Sequence, residues 1–262
     1  MTQISAQDLE RRTVGEVVAE DYGRAAVFER YGIDFCCGGD RSVRDACEEA
    51  GVVYDELVHA LAETGPGQAG ESDVRSWPLD ELADHIVAVH HHYVRESLPP
   101  LVAFSEKVAR VHGSGHEELL EIQGLVGELA AELNRHMQAE ENLLFPRMAE
   151  IVSGDHSNGA PGTASGSLAG PGQSLGGPLQ SLGGPLQSLG GLLESLEDDH
   201  ELAGALMHRI RELSGGFVAP DDACNTYRAF YAKLAEFETD LHLHVHLENN
   251  VLFPGVRALV KA

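Results

Sequence analysis

HMQAEENLLFP at residues 136–146 and HVHLENNVLFP at residues 244–254 are two copies of one pattern within a single chain. Six of the eleven positions are identical, and in each copy a histidine precedes a glutamate by four residues, His136 with Glu140 and His244 with Glu248. In an α-helix, residues four apart differ by about 40° around the axis and about 6 Å along it, so both side chains of a pair project from one face. One such pair taken alone is better read as a solvated face or a helix-stabilising contact. Two copies in register, each ending in Leu-Phe-Pro, point instead to a metal site.

The same layout continues outward from the copies. His91 lies 45 residues before His136, and His200 lies 44 before His244. Four long stretches with apolar residues at helical spacing carry these groups, at 79–111, 117–151, 192–213 and 223–259, and no alternating segment argues for a sheet. The expected fold is all-α, an up-down four-helix bundle behind a small N-terminal helical unit. The bundle's centre would take His91, His136, Glu140, His200, His244 and Glu248. A carboxylate can bridge two ions whereas an imidazole binds one, so this set gives two histidines per metal with shared glutamates. Such N and O donors suit iron or manganese; an all-thiolate set would have argued for zinc or a cluster.

In the first bundle helix His85, His90, His91 and His92 compete. An apolar stripe of Ala83, Val87, Val94, Leu98 and Leu101 is flanked by His90 and His91 and turns His92 away. His91 is the choice and His90 its nearest rival. Glu132 and Asp199 could line the site or orient an imidazole. His112, His116, His156, His208, His242 and His246 are expected at the surface or behind the ligands, with His246 facing away from the centre.

Before the bundle, short helices are expected over 14–21, 23–31, 42–50 and 54–63, the third opened by a capping box of Ser42 and Asp45. Cys36-Cys37-Gly38-Gly39 forms a turn near the middle of this unit. The chain divides into an N-terminal domain at 1–66, a polar, Gly-rich linker at 67–76 and the bundle at 77–262. A Gly/Pro/Ser-rich insert occupies 153–191, where QSLGGPL occurs at 173–179 and again at 180–186. Gly-Gly-Pro in each unit opposes a continuous helix, so the insert reads as a flexible crossing loop.

Composition narrows the setting. With 42 acidic against 18 basic residues and a net charge of -24, the chain repels phosphate backbones and anionic lipid, which argues against nucleic acid and membrane partners. No apolar run is long enough to span a bilayer. The opening residues lack secretory or organelle-targeting character, and the four cysteines, two of them adjacent, resemble no extracellular disulfide framework. The expected location is the cytoplasm.

Two segments carry a family resemblance: YGIDFCCGG at 31–39 and LENNVLFP at 247–254. Together with the repeat they make the chain resemble the haemerythrin-like proteins, and more closely the branch that repairs iron-sulfur centres after nitrosative or oxidative stress. The resemblance implies the same six ligands, two non-haem irons bridged by an oxo group and by carboxylate, and damaged iron-sulfur enzymes as partners. It also implies that Cys36 and Cys37 assist, as thiolates near the exit or as a redox pair. Oxygen-carrying haemerythrins have a His-x-x-x-His helix and a final His-x-x-x-x-Asp helix; here Gly204 follows His200 by four residues, and the last helix reads His244-x-x-x-Glu248. One imidazole fewer leaves coordination more open, which favours release or reaction over reversible storage. The implied function is repair by supplying iron, or redox chemistry at iron. Two other functions stand beside it: a di-iron sensor of nitric oxide or oxygen, and a reductase of nitric oxide or peroxide. A homodimer is compatible with all three.

Overall fold

The computed structural model describes residues 9–63, 74–153 and 189–261. The expected linker and insert therefore fall outside the described residues, apart from a 3-10 turn at Val74–Ser76 and from Ser153 and residues 189–191, which belong to bundle helices. The N-terminal unit contains α1 (Val14–Glu20), α2 (Ala25–Arg30), α3 (Val43–Ala50) and α4 (Tyr54–Glu63). Ser42 caps α3 as expected, accepting from the Asp45 N–H. A complete capping box, unread in the sequence, opens α1: the Thr13 hydroxyl accepts from the Glu16 N–H while the Glu16 carboxylate accepts from the Thr13 N–H.

Four long helices form the bundle: α5 over 79–112, α6 over 118–153, α7 (Leu189–Leu213) and α8 over 225–261. Short connections at 113–117 and 214–224 return the chain within each pair. Helix α6 packs along α5 and α7, and α8 packs along α5. Among the described residues there is no strand, only an isolated bridge between Thr13 and Ser42.

Three of the bundle helices are interrupted by a π-helical turn: Ile86–His91 in α5, Glu140–Leu144 in α6 and Glu248–Leu252 in α8. In α6 and α8 the cause follows directly. Pro146 and Pro254 have no N–H to donate, and each ring crowds the carbonyl four residues back, so the preceding turn widens. In α6 the Asn142 side chain donates to the Gln138 carbonyl at 2.7 Å within that widened stretch. No proline follows the turn in α5 at the same distance.

The apolar core is divided. One cluster joins the N-terminal unit to part of the bundle, running from Leu9 and Phe28 through Leu98, Leu129 and Phe237. The other gathers Leu82, Ile86, Leu144, Leu196 and Phe253. Between them lie buried histidines and glutamates.

The N-terminal unit docks on the π-turn of α8. Asn250 donates to the Phe35 carbonyl at 3.3 Å and the Cys36 carbonyl at 3.2 Å. Its amide sits where only glycines leave room, since a Cβ on Gly15 or Gly39 would come within 2.2 or 2.3 Å of Asn250 Oδ1. The Cys36 carbonyl also accepts from Asn249, so losing the Asn250 amide removes hydrogen bonds without stripping that carbonyl of every donor, at about 0.5–1.5 kcal/mol for each bond lost. Asn250→Ala should therefore lower the urea midpoint by a corresponding amount and speed proteolysis within 9–63, whereas Asn142→Ala, which leaves the docking untouched, should not speed it.

Candidate metal centre

All six residues picked out by the repeat meet in the layer between the two apolar clusters. His91, His136, Glu140, His200, His244 and Glu248 each expose 1% of their surface or less. Donor atoms of His91, Glu140, His244 and Glu248 lie within 4.8 Å of one another, as do those of His136, His200 and Glu248. The four imidazoles thus fall into two pairs, His91 with His244 and His136 with His200.

Each glutamate reaches both pairs. Glu140 Oε2 lies 3.2 Å from Nε2 of His91 and 3.2 Å from Nε2 of His136. Glu248 turns Oε1 towards His244 Nε2 at 2.9 Å and Oε2 towards His200 Nε2 at 2.9 Å. The Nε2 atoms of His136 and His200 approach to 3.0 Å. Despite these short separations, both Glu140 oxygens, Glu248 Oε2 and His91 Nε2 are buried without a hydrogen bond of acceptable angle. Buried polar atoms left in this condition are costly, and a cation between them removes the cost. The donor set, imidazole nitrogens with two carboxylates able to bridge, therefore fits a pair of borderline-to-hard cations.

The same residues answer to each other in the two copies. The ring of His91 lies nearly parallel to Phe145 with centroids 6.1 Å apart, and that of His200 to Phe253 at 5.6 Å. The phenylalanine of each Leu-Phe-Pro thus backs the upstream histidine of its own copy. The residue after each of Glu140 and Glu248 holds the outer nitrogen of that histidine: Glu141 Oε1 lies 2.6 Å from His91 Nδ1, and Asn249 Oδ1 lies 2.7 Å from His200 Nδ1. These contacts fix the ring orientation and turn Nε2 inward. The Asn249 amide also donates to the Cys36 carbonyl at 3.3 Å, which a carboxylate in its place could not do.

Charge in this layer is set by the neighbours. Burial opposes ionisation of Glu140 and Glu248, yet the surrounding histidines hold both carboxyls below their ordinary range. Burial likewise works against a charged His91, but Glu140 and Glu248 push its imidazole up to about 10. Protons and metal ions compete for the same inward-facing atoms.

The π-turn in α5 explains why two adjacent histidines competed in the sequence. Widening brings both His90 and His91 inside, and buries Ile86 while leaving Val87 only half-buried, against the regular helical stripe. His91 faces the cluster. His90 stacks on the His244 ring at 5.6 Å and pairs with Asp240 at 3.0 Å. His92 is exposed, as its position required. Asp199 lies 3.5 Å from His136 Nδ1, whereas Glu132 pairs with Arg135.

The expectation for His246 needs correction. It does face away from the centre, but it is neither at the surface nor behind a ligand. It is buried against Tyr22 and Phe35, because the N-terminal unit covers that side of α8. His208 is exposed, and His156 lies outside the described residues.

Cys36 and Cys37 are free thiols, and Cys37 lies beside α7. Cys37 Sγ lies 3.8 Å from the His200 carbonyl, and a Cβ on Gly204 would sit 3.7 Å from it. The neighbouring Cys37 sulfur, burial and the Asp34 carboxylate push the Cys36 thiol up.

Comparison with known proteins agrees with this arrangement. Residues 82–165 and 185–256 match the hemerythrin HHE cation binding domain, and residues 10–64 match the domain described as Domain of Unknown function (DUF542). The chain belongs to the haemerythrin HHE cation-binding family. Its curated relatives include the iron-sulfur cluster repair protein YtfE of Pectobacterium carotovorum, 33% identical over 249 residues that cover 93% of this chain and 95% of that protein. The iron-sulfur cluster repair protein ScdA of Staphylococcus haemolyticus is 30% identical over 243 residues, covering 92% and 95%. YtfE of Yersinia pseudotuberculosis is 31% identical over 250 residues, covering 94% and 97%. Among the described residues no helix is long and apolar enough to cross a membrane.

Two outcomes follow from this geometry. A cation held at about 100 times its dissociation constant adds about 2.7 kcal/mol, so iron(II) or manganese(II) should raise the thermal midpoint by about 5–10 °C and a chelator should reverse it. Scanning fluorimetry reads this directly, and Glu140→Ala should abolish most of the increment. A Cβ on Gly204 would meet the Cys37 sulfur only at an ordinary contact distance of 3.7 Å. Gly204→Ala should therefore leave the reactivity of the Cys36 and Cys37 thiols towards an aromatic disulfide reagent unchanged, while the longer Gly204→His side chain should lower it by covering them.

Proposed function

We propose that His91, His136, Glu140, His200, His244 and Glu248 hold two non-haem iron ions, and that the chain repairs iron-sulfur clusters damaged by nitrosative or oxidative stress. The observation that carries this is the reach of Glu140 and Glu248: each carboxylate lies against both histidine pairs, as a bridge between two metals requires. The names of the relatives supply the cellular task. Bound iron supplies a two-electron centre and metal held by nitrogen and oxygen donors.

The chain's own part is positional. Glu141 and Asn249 fix the outer nitrogens of His91 and His200, while Phe145 and Phe253 back the same rings and keep water from them. Gly204 stands where an oxygen carrier places a further imidazole, so the protein grips its metal with fewer ligands, which favours transfer over storage. Cys36 and Cys37 assist as thiols next to the His200 backbone. The targets are damaged iron-sulfur enzymes in the cytoplasm.

A nitric-oxide-damaged cluster enzyme incubated with the iron-loaded protein should recover activity. Mössbauer spectra of that protein should show two irons per chain. With Glu140→Ala and Glu248→Ala combined, loading should fail and recovery should drop to the level without protein. Turnover of nitric oxide with an added reductant and no recovery would identify a reductase instead.

A further inference from the structure

Three donors gather outside the histidine and glutamate layer. Cys36 Sγ lies 3.9 Å from Cys37 Sγ and 3.2 Å from Asp34 Oδ1, and suitable atoms of all three residues fall within 4.8 Å of one another. With metal–sulfur bonds of about 2.3 Å, the sulfur–sulfur edge of a tetrahedral site is about 3.8 Å, close to the separation seen here. Two sulfurs and a carboxylate oxygen at these distances outline one face of a tetrahedron and leave the fourth position open.

The turn that presents them is held from several sides. Asp34 Oδ1 accepts from the Cys36 and Cys37 N–H groups, both at 3.0 Å. The Cys36 carbonyl accepts from Asn249 and Asn250. Gly39 closes the turn, its carbonyl accepting from the Gly15 N–H at 2.8 Å. The donors are thus fixed in place, as a site of definite geometry needs.

They also face open space. A cavity of about 670 Å³ is lined by Asp34, Cys36, Cys37, Gly204, His208 and Glu238, among others. That volume admits a cation with six waters, at about 30 Å³ each. The lining sets the carboxylates of Glu29, Asp34, Glu201 and Glu238 against one guanidinium, that of Arg211, which is itself paired with Glu238, so the surround favours a cation.

We infer that Asp34, Cys36 and Cys37 form a second metal site, separate from the histidine and glutamate centre, that takes one thiophilic divalent d-block cation such as iron(II) or zinc(II). On binding, the two thiol protons leave and two metal–sulfur bonds form, with no change in oxidation state. The Asp34 carboxylate supplies the third bond, and water or an incoming ligand from the cavity supplies the fourth. The inference rests on these donors and not on the repair activity.

Cobalt(II) titration of the reduced full chain tests it, because a sulfur-to-cobalt charge-transfer band in the near ultraviolet reports thiolate ligation, and the histidine and glutamate centre has no sulfur. The competitor is Cys224, whose sulfur lies 3.2 Å from His112 Nε2. In Glu140→Ala, where the other centre no longer competes for cobalt, the band should saturate near one equivalent; it should survive Cys224→Ser and vanish in Cys37→Ser. Asp34→Asn keeps an acceptor for the two N–H groups, so the turn survives, while the cobalt dissociation constant should rise at least about tenfold. No band in the reduced chain, a band lost with Cys224→Ser, a band unchanged in Cys37→Ser, or an unchanged affinity in Asp34→Asn would each overturn the three-donor site. Because Glu140→Ala disables only the other centre, failure of one site is distinguishable from failure of the other.

Discussion

Placing two carboxylates among four imidazoles at the middle of a helical bundle sets a condition that the surrounding structure must meet. Taken singly, an ionised carboxylate in such surroundings carries a penalty of several kcal/mol after relaxation. Apolar clusters on either side keep water out and so strengthen every charge interaction within the layer. The phenylalanines that back His91 and His200, and the polar partners Glu141 and Asn249, belong to the same requirement: the rings must be unable to turn their inner nitrogens away. Binding a cation and keeping this core folded are therefore one thermodynamic event.

Much of the centre was readable because the chain contains its own comparison. Spacing alone brought His136 next to Glu140 and His244 next to Glu248, and the shared layout added His91 and His200. The all-α bundle followed from helical periodicity, and its limits fell within a few residues of the observed helices. Local pattern was less able to show the π-turns. An extra residue in one turn leaves no mark in composition, yet it decides which of His90 and His91 faces the centre and shifts burial from Val87 to Ile86. Leu-Phe-Pro was the available signal in α6 and α8: a proline inside a helix demands some adjustment just before it.

Contacts between distant segments were out of reach for a different reason. His246 looked like a surface group because the helix was read alone, without the N-terminal unit that covers it. Asn250 occurs at the same place in the repeat as Asn142, but Asn142 bonds within its own helix while Asn250 holds Phe35 and Cys36. Identical residues acquired different tasks because, among the described residues, the N-terminal unit packs against only one of the two copies at that place. Gly204 belongs to the same contact, since a Cβ there would meet the Cys37 sulfur at 3.7 Å, and a helix read alone gives no sign of that neighbour.

The mirrored halves have a bearing on how such a centre can specialise. Each half contributes two imidazoles, one carboxylate and one backing aromatic ring, so two identical half-length chains paired about a two-fold axis would assemble an equivalent cage. In that pair, any substitution would be made twice, and both sides would have to accept it. Joined into one polypeptide, the halves are released from that bond of sameness. Position 249 can hold an amide that serves a cap on one flank, while position 141 keeps a carboxylate shared with Arg95 on the other.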